Sequence, residues 1–155
     1  MSFKIQPVAG ATIVSAKLGT DTVANGGGLT DADIGKPVKL SAADTYSLCA
    51  AGDQIDGFLV GINPETQDGY TFGSVQIDGY VRVELSGAAT VGSLVAAATP
   101  AAAGTAEANG LGKVQAHTLA TADVASLAAS IFAINWRVVS GTGLDGDTTA
   151  VIEKC

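Results

Sequence analysis

The chain is short of the residues on which most active-site chemistry depends. It has one histidine, His117, and two cysteines, Cys49 and Cys155. A lone histidine cannot head a metal site without further ligands, and a catalytic dyad needs a nucleophile that nothing around Ala116-His117-Thr118 supplies. Neither cysteine belongs to a CxxC pattern, and two of them make no disulfide framework. Cys49, inside the apolar run Tyr46 to Ala51, reads as a small buried hydrophobe, and Cys155 as an exposed free thiol.

Aromatic residues are scarce too, at 5% of the chain, although hydrophobic residues reach 47%. Most of the apolar mass is alanine and valine, which favour thin sheets and close backbone approach. A flat or interdigitated surface is therefore expected in preference to a large ligand pocket. Basic residues number eight against fifteen acidic ones, giving a net charge of −7. That balance disfavours a direct grip on nucleic acid, whose phosphates call for a basic footprint. It suits a soluble protein with a locally basic partner. Only 15% of residues are charged and the mean hydropathy is +0.35, so part of the apolar surface is expected to be covered by a partner or by symmetry copies. No apolar run approaches the ~20 residues needed to span a bilayer. The start, Met1-Ser2-Phe3-Lys4, lacks the apolar core of a signal peptide, so synthesis in a cytoplasm and no membrane contact are the expectations.

What the chain does have is a repeated phrase. Gln54-Ile55-Asp56-Gly57-Phe58 returns as Gln76-Ile77-Asp78-Gly79-Tyr80. Each copy reads as a turn running into a strand, because Asp-Gly favours turns and the aromatic and β-branched residues after it suit a pleated sheet. At 155 residues the chain is expected to form a single domain, 1–155, that buries roughly 68–70% of its unfolded surface without a staple.

Strand-like segments recur along the chain. Lys36 to Ser41 alternates, with Val38 and Leu40 expected inward and Lys39 outward. Tyr46 to Ala50, Phe58 to Ile62, Tyr70 to Val75 and Tyr80 to Leu85 follow, with a loop expected from Asn63 to Gly69. In Tyr80 to Leu85 one face carries Val81, Val83 and Leu85, and the other carries Tyr80, Arg82 and Glu84, facing water or a partner. Val91 to Ala98, Ile131 to Val139 and Ala150 to Glu153 are further strand expectations, and Thr30 is a candidate cap for a brief helical turn. One short helix is expected at about 121–130, where Thr121 can cap and Val124, Leu127, Ala128 and Ile131 fall at helical spacing. The fold class that results is mainly β, a β-sandwich or β-barrel, with an extended N-terminal arm over 1–14.

Several constellations resemble sites without completing one. Asp145-Gly146-Asp147 lacks the remaining oxygen ligands of a calcium loop. Asp31 with Asp33, and Asp53 with Asp56, pair carboxylates, but in glycine-rich turns where aspartate serves local backbone bonding. Gly26-Gly27-Gly28 is followed by no phosphate-binding signature. Tyr46, Phe58, Tyr70, Phe72 and Tyr80 lack the interleaved Arg or Lys of a base-stacking platform. No catalytic, cofactor-binding or metal-binding residue is assigned, and an enzyme is not expected.

The phrases Ile34-Gly35-Lys36-Pro37-Val38-Lys39-Leu40, Gly52 to Val60, Val81-Arg82-Val83 and Gly92-Ser93-Leu94-Val95 resemble the capsid decoration, or cement, proteins of tailed bacteriophages. The resemblance spans roughly residues 34–139 and consists of strand and turn phrases without a signature residue. It implies a β-rich structural protein, commonly a homotrimer, on the outer surface of an expanded icosahedral head. There it bridges major capsid protein subunits, without catalysis, cofactor or nucleic acid. Phe3, Ile5, Val8, Ile13, Tyr46, Tyr70 and Phe72 are the residues expected at a capsid or oligomer interface. Two other classes stay open: a carbohydrate- or host-surface-binding β module, and a small hydrolase with dispersed carboxylates.

Overall fold

The computed structural model describes residues 10–19, 29–42, 44–67, 70–98, 113–117, 125, 135–140 and 149–155. Ten strands run through them: β1 (Thr12–Leu18), β2 (Pro37–Ala42), β3 (Thr45–Leu48), β4 (Gly57–Gln67), β5 (Tyr70–Asp78), β6 (Tyr80–Leu85), β7 (Val95–Ala97), β8 (Lys113–Ala116), β9 (Trp136–Ser140) and β10 (Thr149–Lys154). The fold is mainly β, as the alternating segments imply. The helix expected at 121–130 lies, apart from Ala125, outside the described residues.

Five strands close a barrel in the order β1-β3-β2-β4-β5, and the other five form a sheet in the order β7-β8-β6-β10-β9. The barrel is antiparallel except at its seam. There β1 and β3 run parallel for two residue pairs, Lys17 with Thr45 and Leu18 with Tyr46. Backbone bonds from Lys17 N–H to Asp44 O (3.2 Å) and from Gly19 N–H to Tyr46 O (2.7 Å) complete the seam. Ala16, Leu18, Leu29, Val38, Leu59 and Val75 fill the barrel, with Tyr46, Leu48 and Ile62 packed against them. Gly73 lets β5 approach: a Cβ there would lie 2.5 Å from Gly61 O and 2.7 Å from Leu18 Cδ1.

The second sheet buries Val81, Val83, Leu85, Val95, Val114, Trp136, Val138 and Ile152 in one cluster with Ile55 and Phe58 from the barrel side. Alternation explains the pattern. Val81, Val83 and Leu85 are 2% exposed or less, whereas Tyr80 and Arg82 between them are exposed. The segment from Ala50 to Asp56 joins the two halves. Gly52 N–H donates to Ala97 O (2.8 Å) and Ala97 N–H to Asp53 O (3.1 Å), covering the free edge of β7. The opposite edge, β9, is met by Ser93 and Leu94: Val138 N–H donates to Ser93 O (2.9 Å), and Leu94 bridges Arg137.

Several expectations are corrected. The two Asp-Gly phrases do not fold alike. Gly79 turns the chain at φ +90, with Asp78 Oδ1 accepting its N–H at 2.7 Å. Gly57 instead begins β4, where a Cβ would lie 2.6 Å from Val75 Cγ1 and 2.7 Å from Gln76 O. A Gly chosen for close packing and one chosen for a left-handed turn look the same in sequence. The loop expected from Asn63 is strand as far as Gln67, with a register slip between Ile62 and Thr66. Val91 and Gly92 form a turn, and the strand expected at Val91 to Ala98 shortens to β7. Strand β8 had no strong pattern of its own, and its four residues are held by β6 and β7. Leu40 is 52% exposed although it pairs with Tyr46 of β3, because on its other side β2 pairs with β4 only at Pro37 and Val38. Of the segment expected as an arm, Thr12–Val14 belong to β1, paired along β5, while 1–9 lie outside the described residues.

Candidate functional site

Of the acidic residues singled out in the sequence, Asp33, Asp53 and Asp56 each accept a backbone N–H. Thr30 caps a single 3-10 turn at Asp31–Asp33. The Asp33 carboxylate accepts from Thr30 N–H (2.7 Å) and Thr30 Oγ1–H (3.2 Å), and Lys36 Nζ sits 2.8 Å from its other oxygen. Burial pushes the Asp33 carboxyl up, but Lys36 and the two Thr30 donors outweigh it and leave it below the ordinary carboxylate range. Asp31 is exposed and shares none of these bonds.

Asp53 and Asp56 shape the connecting segment. Asp53 Oδ2 accepts from Ala50 N–H at 2.7 Å and pairs with Lys39 Nζ, while Asp56 Oδ2 accepts from Leu40 N–H at 2.7 Å. Here too burial raises the Asp53 carboxyl, and Lys39 and Ala50 N–H together bring it below its usual value. Asp53 thus does the local backbone work that its setting in a turn implied, whereas Asp56 reaches across to the backbone of β2, 16 residues away. Beside them Cys49 is 5% exposed, and its thiol is pushed up to about 12 by burial first and by Asp53 second. It is the buried small hydrophobe expected, and Cys155 is exposed.

His117 follows β8 and is half-buried, and its backbone N–H donates to Leu94 O at 2.8 Å. Among the described residues no group of three or more His, Cys, Asp or Glu side chains is placed to hold a metal ion. No helix among them is long and apolar enough to cross a membrane.

The interface candidates separate. Phe3, Ile5 and Val8 lie outside the described residues, and the side chain of Tyr70 is likewise not described. Ile13 is 45% exposed on the outer face of β1, and half-buried Phe72 is on the adjoining strand β5, opposite Lys17. Tyr46 instead packs against the barrel core, opposite Leu40. Its phenol is raised by burial first, then by Asp56 and Asp44.

The outer face of the second sheet brings together residues that were not singled out as interface candidates. Tyr80 is 41% exposed, Arg82 is exposed, and Val151 and Glu153 lie opposite Arg82 and Tyr80 on β10. Arg137 on β9 grips Glu153 Oε1 through Nη2 (2.6 Å) and Nε (3.0 Å), and Lys113 meets Glu84 at 3.0 Å. Both arginines of the chain thus stand on this one face. The signal was present in the alternation of β6, which put Tyr80, Arg82 and Glu84 together. The contribution of β9 and β10 depends on long-range pairing that no local pattern reveals. Comparison with protein-family models, with curated proteins and with solved structures gives no match.

Proposed function

We propose that this chain is a structural virion protein that binds the outer surface of an expanded icosahedral phage head and bridges major capsid protein subunits. The observation that carries the reading is the scatter of its exposed large apolar side chains. Among the described residues, Leu40 lies on β2 beyond its pairing with β4, Ile13 on the barrel's outer face, Tyr80 on the outer face of the second sheet and Val91 at a turn beside that sheet. A bridging protein needs contacts on more than one side, whereas a ligand-binding protein gathers them round one cleft. The Asp33, Asp53 and Asp56 carboxylates are occupied in turns and ion pairs that fix the scaffold, which suits a passive clamp. Modest contacts repeated over a lattice add up through multivalency.

Co-sedimentation with expanded, undecorated heads tests the proposal. Saturable binding at a fixed ratio to the major capsid protein is expected. Protein that stays in the supernatant at every salt concentration overturns it.

A further inference from the structure

Two surfaces of this chain differ in a way that fits them to each other. On the outer face of the second sheet, Arg82 stands exposed between Tyr80 and its cross-strand neighbour Val151. The other cations of that face, Lys113 and Arg137, are each paired with a glutamate; among the described residues Arg82 has no such partner. At the uncovered end of the barrel the arrangement is reversed. Leu40, 52% exposed, lies opposite Tyr46, with Asp56 bonded to the Leu40 N–H and Asp44 at the β2–β3 turn. Asp44 stands two residues before Tyr46 and Asp56 holds the N–H of the strand partner of Tyr46, so they share this corner. Among the described residues, one surface is aromatic with a cation outside any ion pair, and the other carries an exposed leucine with two carboxylates.

We propose that the Tyr80–Arg82 face of one copy docks on the Leu40–Asp44 corner of a second copy. The occupant follows from charge complementarity. The Arg82 guanidinium belongs to a chain of net charge −7, whose exposed apolar residue at the barrel end is flanked by acids. Arg with Tyr is also the composition that concentrates binding energy at protein contacts. Because the two surfaces differ, the contact is heterologous. Repetition produces a ring if the rotation closes and a chain of copies if it does not. The inference concerns the free protein in solution and holds whether or not the protein binds a phage head.

Sedimentation velocity of the purified protein over a concentration series tests it, with single-cysteine cross-linking as the second measurement. Wild type is expected to associate, and to do so less at ~1 M salt, where charges are screened beyond about 3 Å, than at ~0.1 M. Arg82→Glu and Leu40→Asp should each weaken association about tenfold or more, with circular dichroism unchanged, because both side chains are exposed. In a Cys155→Ser background, mixing Thr149→Cys chains with Ala42→Cys chains, both exposed positions that leave Arg82 and Asp44 in place, should give a disulfide-linked heterodimer faster than either gives a homodimer. A monomeric wild type overturns the proposal. Association untouched by Arg82→Glu, or homodimers of Thr149→Cys forming as fast as the mixed species, overturns it equally.

Discussion

Phe58 and Trp136 meet edge to face, with ring centroids 5.2 Å apart and planes at 87°. Phe58 comes from β4 of the barrel and Trp136 from β9 of the second sheet, so this contact spans both halves of the fold. Both rings are fully buried, and Trp136 Nε1–H also donates to Ile55 O at 3.1 Å. The quadrupoles of the rings favour this T-shaped arrangement, and the indole N–H finds a partner as a buried donor must.

Trp136→Ala should therefore cost about 3–5 kcal/mol, since it removes the largest buried side chain and leaves a cavity at the junction. Trp136→Phe should cost less, about 1–3 kcal/mol, from the lost indole bond and the partly filled space. Urea denaturation of the two variants beside wild type checks the order.

Gly79 and Gly92 both adopt φ +90, but their surroundings differ. A Cβ at Gly79 would lie 2.8 Å from Ala11 Cα, whereas one at Gly92 meets nothing within 4 Å. Gly92→Ala should show only the left-handed backbone penalty of about 1–2 kcal/mol. Gly79→Ala should exceed it, because backbone must also shift between the start of β1 and the β5–β6 turn. Equal losses in chemical denaturation would contradict this account.

Cys49 should resist alkylation in the native protein at pH 8, while Cys155 reacts, so mass spectrometry should find a single label until denaturant is added. The raised thiol also has a stability consequence. Between about pH 9 and about pH 12 the unfolded thiol has lost its proton and the folded one keeps it. This group's contribution is full below the unfolded value and falls at up to about 1.4 kcal/mol per pH unit through that window. Cys49→Ala should flatten that part of the stability profile.

Asp33 behaves in the opposite sense. Its carboxyl is lowered in the folded protein, so its contribution is present above the unfolded value of about 3.9 and is lost as pH falls through the folded one. Asp33→Ala should destabilise by about 1–3 kcal/mol at neutral pH by leaving Thr30 N–H and Lys36 without their acceptor. Measured below the folded value, the gap between the variant and wild type should shrink.

The local pattern of the chain determined its class and much of its wiring. Alternation in Tyr80 to Leu85 gave β6 its bounds and its buried face, and Thr30 with Asp33 announced the capped turn, because both depend on neighbours within a few residues. The bond of Asp53 to Ala50 N–H was legible for the same reason, whereas Asp56 serves Leu40, 16 residues away. What only the tertiary structure decided rests on partners far away in sequence. The parallel seam of β1 with β3 closes the barrel, and Phe58 opposite Trp136 ties it to the second sheet. Partners distant in sequence likewise distinguish Gly57 in its strand from Gly79 in its turn, and Leu40 in solvent from Val38 in the core. Each pair looks alike to its immediate neighbours, and differs in what the folded chain brings against it.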